Sequence, residues 1–457
     1  MSTGAVAELR SALPDEVVVT DAPTIELHSS DMSGIPAGRA VALVRPRSTQ
    51  DVSTTLAIAH RTGTPVVPQG ARSGLAGSAT AIEGSILLDL SGMDRIVRID
   101  ERDRAAIVQP GVIVADLQAA VESVGLFYAP DPASADRATI GGTIATNAGG
   151  MRCIKYGVTR DSVRSLEVVL ADGTITRTRS STVKGVTGLD LTSLIVGSEG
   201  TLAVVTEATL SLLPAPGEAR GVTATFGTIA EAFAAADDIA SGSRIPSTLE
   251  FLDGIALQGV RQVQPELAIP RDATAWLVAV TDARSGAAED LEAFEAAFRA
   301  HRALTITRAE TREELAVQLT ARRALSPALG VIRGGATHGD LAVPRSRLRE
   351  LAALADELSA ETGLPISLSG HIGDGNLHPT VIFDPEDPAQ VEASHTTSAR
   401  LHELAQAVGG TISGEHGIGV VKLGSVDGEI PARLREIQRG IKAVFDPKGI
   451  LNPGRKL

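Results

Sequence analysis

Between residues 40 and 130, short apolar runs alternate with two stretches of helical spacing. Val41 to Val44 reads as a strand that ends at Arg45-Pro46, and Thr49 to Thr62 as a helix capped by Ser48 or Thr49. Pro65 to Pro68, Ser85 to Leu90 and Ala105 to Gln109 read as further strands, and Val112 to Val124 as an amphipathic helix. Leu166 to Ile175 carries Asp172-Gly173 between two β-prone runs, the pattern of a hairpin. A long β-rich run, Thr201 to Leu213, ends at Pro214-Ala215-Pro216-Gly217, which marks a domain boundary. Beyond it the spacing predicts helices over Ile229–Ile239, Glu289–His301, Glu313–Leu329, Arg345–Thr362 and Ala389–Val408. Strands are expected between them at Ser247–Leu252, Ala275–Thr281 and Leu364–Leu368. This is the pattern of an α+β domain with helices on an antiparallel sheet. The tail from Ile441 to Leu457 reads as turn-rich backbone of fixed shape.

At 457 residues the chain predicts two or three domains. Aromatic residues are scarce, so the cores are expected to be built from Ala, Val, Leu and Ile. A net charge of −13 argues against nucleic acid as a partner. The single cysteine, Cys153, excludes a disulfide framework and an iron–sulfur cluster held by this chain alone; it reads as a buried small hydrophobe. Residues 1–15 lack a basic stretch followed by an apolar core, and no run approaches about 18 apolar residues. The expectation is a cytoplasmic protein without a membrane span.

Candidate chemistry lies on glycine-rich backbone. The first loop, Val67 to Ser78, follows a strand directly and offers Arg72 and Ser73 beside Gly70, Gly74 and Gly77. Such a loop is either a plain turn or a place where backbone N–H groups converge on an anion. Two more follow, Thr139 to Gly150 behind Pro130-Asp131-Pro132, and Val196 to Leu202. Three such loops in one β-rich region are hard to explain as turns alone. None has the G-x-G-x-x-G spacing with a later acidic residue, so a Rossmann nucleotide site and NAD are not supported.

Near the end stand Ser369-Gly370-His371-Ile372-Gly373-Asp374-Gly375-Asn376-Leu377-His378-Pro379 and Ser413-Gly414-Glu415-His416-Gly417-Ile418-Gly419. Two histidines and a glutamate can hold a divalent metal with positions left open, and a further histidine can act as a base. Gly370, Gly373 and Gly375 argue against a helix, so His371 and His378 are expected to converge from a strand and a loop. Asp374 and Asn376 also suit a simple turn.

With these motifs, the chain resembles the flavoprotein dehydrogenases of the vanillyl-alcohol oxidase/PCMH superfamily. The branch is that of D-lactate dehydrogenase, the glycolate oxidase flavin subunit and D-2-hydroxyglutarate dehydrogenase. The resemblance runs from about Arg39 to Arg455 and includes Lys155-Tyr156-Gly157 and Asp446 to Gly454. It implies an α+β fold. Residues 1–214 would form a PCMH-type FAD-binding domain of two α+β subdomains. Residues 215–425 would form a cap domain carrying the metal and catalytic residues, and 426–457 would return to the FAD domain.

The resemblance also implies non-covalent FAD, consistent with the lack of any histidine between His60 and His301. Its contacts would be Pro68, Gly70, Ala71, Arg72, Ser73, Gly74, Leu75, Gly77, Ser78, Pro130 and Asp131. Thr139, Gly141, Gly142, Thr143, Ala145, Asn147, Gly149, Gly150, Tyr156 and Gly157 would follow, then Glu199, Gly200, Leu202, Val204 and Asn452. His371, His378 and Glu415 would ligate a divalent metal, Zn or Mn, and His416 would accept the substrate hydroxyl proton. Arg322, Ser326, His338, Asn376 and Thr380 would meet the substrate.

The implied activity is oxidation of a D-2-hydroxy acid of D-lactate or glycolate type. Electrons would go to a quinone, cytochrome, flavoprotein or iron–sulfur subunit; a homodimer is left open. Thr380 and His338 stand where the hydroxyglutarate branch has asparagine and lysine, which argues against a C5 dicarboxylate, the substrate variant. A non-redox enzyme like alkyl-glycerone-phosphate synthase is the alternative, although that group carries adjacent histidines where this chain has Ser413 to His416. A metal hydrolase that uses the glycine loops as plain turns is a third reading.

Overall fold

The computed structural model describes residues 2–267 and 269–457, with the side chains of residues 2, 3 and 326 outside the description. The chain divides into two compact units. The first comprises Met1–Gly150, Gly157–Ala215 and Glu415–Leu457; the second comprises Met151–Tyr156 and Pro216–Gly414. After the short excursion Met151–Tyr156, the chain passes to the second unit within the Pro/Gly segment, between Ala215 and Pro216, and returns at Glu415.

In the first unit, Ala42–Val44, Ile86–Asp89 and Val66–Gln69 form a parallel ladder, with Val18–Val19 antiparallel at one edge. Ala42–Val44 and Ile86–Asp89 are buried throughout. That is why they read as unbroken apolar runs rather than alternating ones. The helix Thr49–Thr62 starts at a capping box between Ser48 and Asp51 and stops at Gly63, whose φ is 68°. It lays Val52, Leu56 and Ala59 against Val44, Ile86 and Leu88. A second, antiparallel sheet runs in the order Ile96–Asp100, Ala105–Val108, Val204–Ser211, Val163–Val169, Ile175–Arg177. Its last two strands are the expected hairpin, turning at Gly173 with φ 91°. At the end of the chain, Leu451 bridges Val66 in parallel, and Asn452 N donates to Val66 O at 2.9 Å.

The second unit is built on a seven-stranded antiparallel sheet. Its order is Thr305–Ala309, Arg220–Phe226, Ala275–Thr281, Thr248–Asp253, Ser369–His371, Asn376–Leu377, Leu341–Ala342. One face packs the helices Ile229–Ser241, Ala287–Ala300 and Leu348–Thr362 around Phe226, Phe233, Phe251, Phe294 and Phe298. Phe226 meets Phe298 edge-on at 5.8 Å, and Phe233 meets Phe251 at 5.0 Å. Five of the eight phenylalanines thus share one core, while Tyr128 and Trp276 lie in two others, so the cores are not the purely aliphatic ones expected. The helix expected over Glu313–Leu329 is three pieces, Arg312–Gln318, Thr320–Arg323 and Leu325–Arg333. Pro327 lacks an N–H and its ring is tolerated only in a first turn, so the helix restarts just ahead of it. Cys153 is half-buried rather than buried. No described helix is long and apolar enough to cross a membrane.

Candidate functional site

The three glycine loops converge in the first unit. A Cβ on Gly70 would lie 2.3 Å from Thr139 Oγ1, and one on Gly200 would lie 3.1 Å from Pro68 Cγ. Thr139 caps the helix Ile140–Thr146 by accepting from Gly142 N. Gly197 N and Glu199 N donate to Ile144 O and Ala145 O, each at 2.8 Å. Around these contacts runs a slot lined by Pro68, Gly70, Thr139, Gly141, Ser198 and Gly200, with Gly142, Ala145 and Val204. Leu90, Pro110, Ile144 and Ile195 also line it and were not anticipated. Pro110-Gly111, directly after a strand, was the one local signal available for them.

A flat apolar ring system fits a slot of this lining, and the open backbone around Gly74 suits a pyrophosphate: no atom lies within 4 Å of a Cβ there. Other anticipated residues serve the loops themselves. Asn147 ends its helix with φ 53° and accepts from Arg160 N. Thr143 Oγ1 donates to Ile140 O, and the backbone of Gly150 passes close to Asp131 O. Gly157, with φ 76°, leaves room for the Asp161 carboxylate. Ala71, Arg72, Ser73, Leu75, Pro130, Gly149 and Leu202 belong to the same loops but not to the slot lining.

Glu199 ties these loops to the last segment of the unit. Its carboxylate is fully buried. It accepts from Ser78 Oγ at 2.6 Å, Ile418 N at 2.8 Å, Gly419 N at 2.7 Å and Lys456 Nζ at 3.3 Å. Asn452 Nδ2 donates to Ser78 O and Glu199 O. The Glu199 carboxylate and the Asn452 amide N–H groups thus act on protein groups, while Asn452 Oδ1 makes no hydrogen bond among the described residues. Gly417 and Gly419, with φ 86° and 49°, thread past Glu199 and Ala76, and His416 and Glu415 precede them directly. Glu199→Gln keeps the shape but sets an amide N–H against a backbone N–H. A loss of about 1–3 kcal/mol is expected, read as a lower melting temperature; an unchanged melt would remove Glu199 from this clasp.

In the second unit, His371 ends the strand Ser369–His371 and His378 follows its partner strand Asn376–Leu377, so the histidines do converge from a strand and a loop. Gly375 turns the hairpin with φ 87°, where a Cβ would lie 2.2 Å from Val343 O. The two imidazoles are 5.3 Å apart and nearly perpendicular. Each turns Nδ1 toward a buried carboxylate: His371 to Glu250 Oε1 at 2.6 Å, and His378 to Asp340 Oδ1 at 3.7 Å. Burial drives the Glu250 carboxyl up, but the charges of His371 and Arg322 and their hydrogen bonds outweigh it and hold it below the usual carboxylate range. The carboxylate behind His371 Nδ1 favours the tautomer that ligates through Nε2, and His371, His378 and Glu415 bring ligand atoms within 4.8 Å of one another, a donor set that fits a divalent ion.

Arg322 donates Nε–H to Glu250 Oε2 at 2.7 Å, and its Nη groups make no hydrogen bond among the described residues. Asn376 is used internally, donating to Asp340 Oδ1 and Leu341 O, while Ser413 Oγ donates to Asp340 Oδ2. His338 and Thr380 are register partners, with Nδ1 and Oγ1 3.3 Å apart. The side chain of Ser326 lies outside the described residues. Tyr156, grouped with this unit, donates its hydroxyl to Asp282, which also pairs with Lys155. Burial and then Asp282 push the Tyr156 phenol above its ordinary value.

Residues 40–179 match the family described as FAD binding domain, and residues 215–455 the family described as FAD linked oxidases, C-terminal domain. The chain is 40% identical to the glycolate oxidase subunit GlcD of Bacillus subtilis (strain 168), over 91% of this chain and 88% of that protein. It is 33% identical to a D-lactate dehydrogenase of Anaerostipes hadrus, over 98% and 96%. A structure of p-cresol methylhydroxylase with substrate bound superposes with a TM-score of 0.79 at 18% identity, over 99% of this chain and 96% of that one. At that identity the likeness concerns the fold.

Proposed function

This chain belongs to the family of FAD-linked oxidases, and on that premise we propose that it oxidises a small D-2-hydroxy acid, of D-lactate or glycolate type, to the 2-oxo acid. The observation that carries the reading is Arg322. Its guanidinium is 17% exposed, anchored through Nε, and leaves its fork for an anion beside the histidine pair. A bidentate carboxylate is the natural partner of such a fork. The names of the relatives, a glycolate oxidase subunit and a D-lactate dehydrogenase, agree with a small hydroxy acid.

In this reading the first unit holds FAD without a covalent bond, on Pro68 to Ser78 and the two loops that meet it. His371, His378 and Glu415 hold a divalent metal, Zn or Mn. When bound, FAD would supply the hydride acceptor for C2, and the metal the Lewis acid that acidifies the substrate hydroxyl. Arg322 orients the substrate carboxylate, and His416 takes the hydroxyl proton. His338 and Thr380 bound the far end of the substrate, a pair that offers no lysine or arginine to a second carboxylate and so suits a short acid. An acceptor outside this chain, whether quinone, cytochrome, flavoprotein or iron–sulfur subunit, removes the electrons.

The test is an anaerobic absorbance spectrum with D-lactate, L-lactate, glycolate and D-2-hydroxyglutarate added separately. Bleaching of the flavin band by D-lactate or glycolate is expected. A flavin spectrum that none of the four changes would turn the proposal toward the non-redox reading, and a colourless protein that takes up no FAD would defeat it.

A further inference from the structure

One buried carboxylate stands behind both halves of the candidate substrate site. Glu250 lies in the strand Thr248–Asp253, and its side chain is wholly inaccessible. Oε1 meets His371 Nδ1 at 2.6 Å, and Oε2 accepts from Arg322 Nε at 2.7 Å. These partners come from distant parts of the chain, a hairpin strand and the short helix Thr320–Arg323. The strand pairing that sets Phe251 opposite Gly370 fixes Glu250 beside His371. The helix packs through Ala321, and the only hydrogen bond of the Arg322 head among the described residues is to this carboxylate, which orients it.

We propose that Glu250 is a positioning residue that couples the metal-ligating face of the site to its carboxylate-binding face. With one oxygen it fixes the tautomer and tilt of His371, presenting Nε2 outward. With the other it holds Arg322 by Nε alone, so that both Nη groups stay directed at the substrate carboxylate. A side chain with a single strong acceptor cannot do both, since its remaining polar atom would be a donor facing a donor. A shift of either partner is therefore transmitted to the other through one rigid group. This inference rests on the hydroxy-acid reading above, and adds to it that metal affinity and substrate affinity change together when the shared carboxylate is altered.

The experiment uses the full-length FAD-loaded protein, stripped of metal by chelation and titrated with Co²⁺, whose visible spectrum reports ligation directly. KM and kcat for D-lactate or glycolate are measured in parallel. In Glu250→Gln the Co²⁺ affinity is expected to fall about 10–100-fold, the range for loss of a partner behind a ligating histidine. KM should rise by about tenfold or more, as expected when a charged bidentate clamp is misaligned, while FAD content is unchanged. Wild-type Co²⁺ binding with both constants within twofold in the variant would overturn the coupling and leave the hydroxy-acid reading standing. Wild-type protein that binds no Co²⁺ would overturn that reading, and the inference with it.

Should Glu250→Gln fail to fold, Arg322→Gln tests the same coupling from the more exposed side. If Arg322 serves the substrate alone, this change leaves Co²⁺ affinity within twofold, which overturns the proposal. If Glu250 couples the two faces, the affinity shifts by about threefold or more, a fraction of the full loss for the missing carboxylate.

Discussion

Replacing His416 by alanine is expected to leave a yellow, folded protein whose turnover of a 2-hydroxy acid falls by about 10²-fold or more. The reason is positional as well as chemical. His416 is followed by Gly417, held in a left-handed conformation against the Glu199 carboxylate, and by the Ile418 and Gly419 N–H groups that Glu199 accepts. The backbone that carries the imidazole is thus fixed independently of the imidazole, and its removal leaves the clasp in place. FAD content and melting temperature should match the parent, and the loss should appear in kcat. Rapid flavin reduction by the variant, within severalfold of the parent, would take the proton-acceptor role away from His416.

Gly419→Ala is expected to have the larger effect on the fold. A Cβ there would lie 1.9 Å from Ala76 O, a backbone atom that has no rotamer to change, at φ 49°. The left-handed backbone alone disfavours alanine by about 1–2 kcal/mol. Forcing the two segments apart adds about 1–3 kcal/mol. Because Ala76 belongs to the first glycine loop, the damage should show as released flavin fluorescence at lower temperature, before the second unit melts. Gly424→Ala is the control, with no atom within 4 Å of its Cβ. It should behave as parent, and equal loss in both variants would remove the close approach as the cause.

What was legible in the sequence was local or glycine-bound. The Asp172-Gly173 hairpin, the cap at Ser48 and the three glycine loops are written in turn chemistry, and each formed where expected. The histidine hairpin was readable because glycine excluded the alternative. In the sequence Glu199 reads only as part of a glycine loop, because nothing local says that the groups its carboxylate holds lie 121 to 257 residues away. Glu250 left no mark at all: a carboxylate between Leu249 and Phe251 is informative only once its partners are folded around it. The strand Arg220–Phe226 was missed although Val222, Ala224 and Phe226 alternate with Thr223 and Thr225; both faces are buried, with Thr225 pairing to Thr305. His338 and Thr380 become neighbours only through strand register.

The bridge between Val66 and Leu451 has a consequence for how the chain is made. Val66–Gln69 is the edge of its sheet among the earlier strands, and its remaining partner, Leu451, is synthesised only after the whole of Pro216–Gly414. At about 5–20 residues per second, that edge waits on the order of 20–80 s for its neighbour. Pro216–Gly414 emerges completely during the wait and can finish folding first. That early strand edge therefore stays open until the second unit has emerged, and an open strand edge is where misassociation begins. A ribosome that stalls after residue 414 would release a finished second unit joined to an unfinished first one.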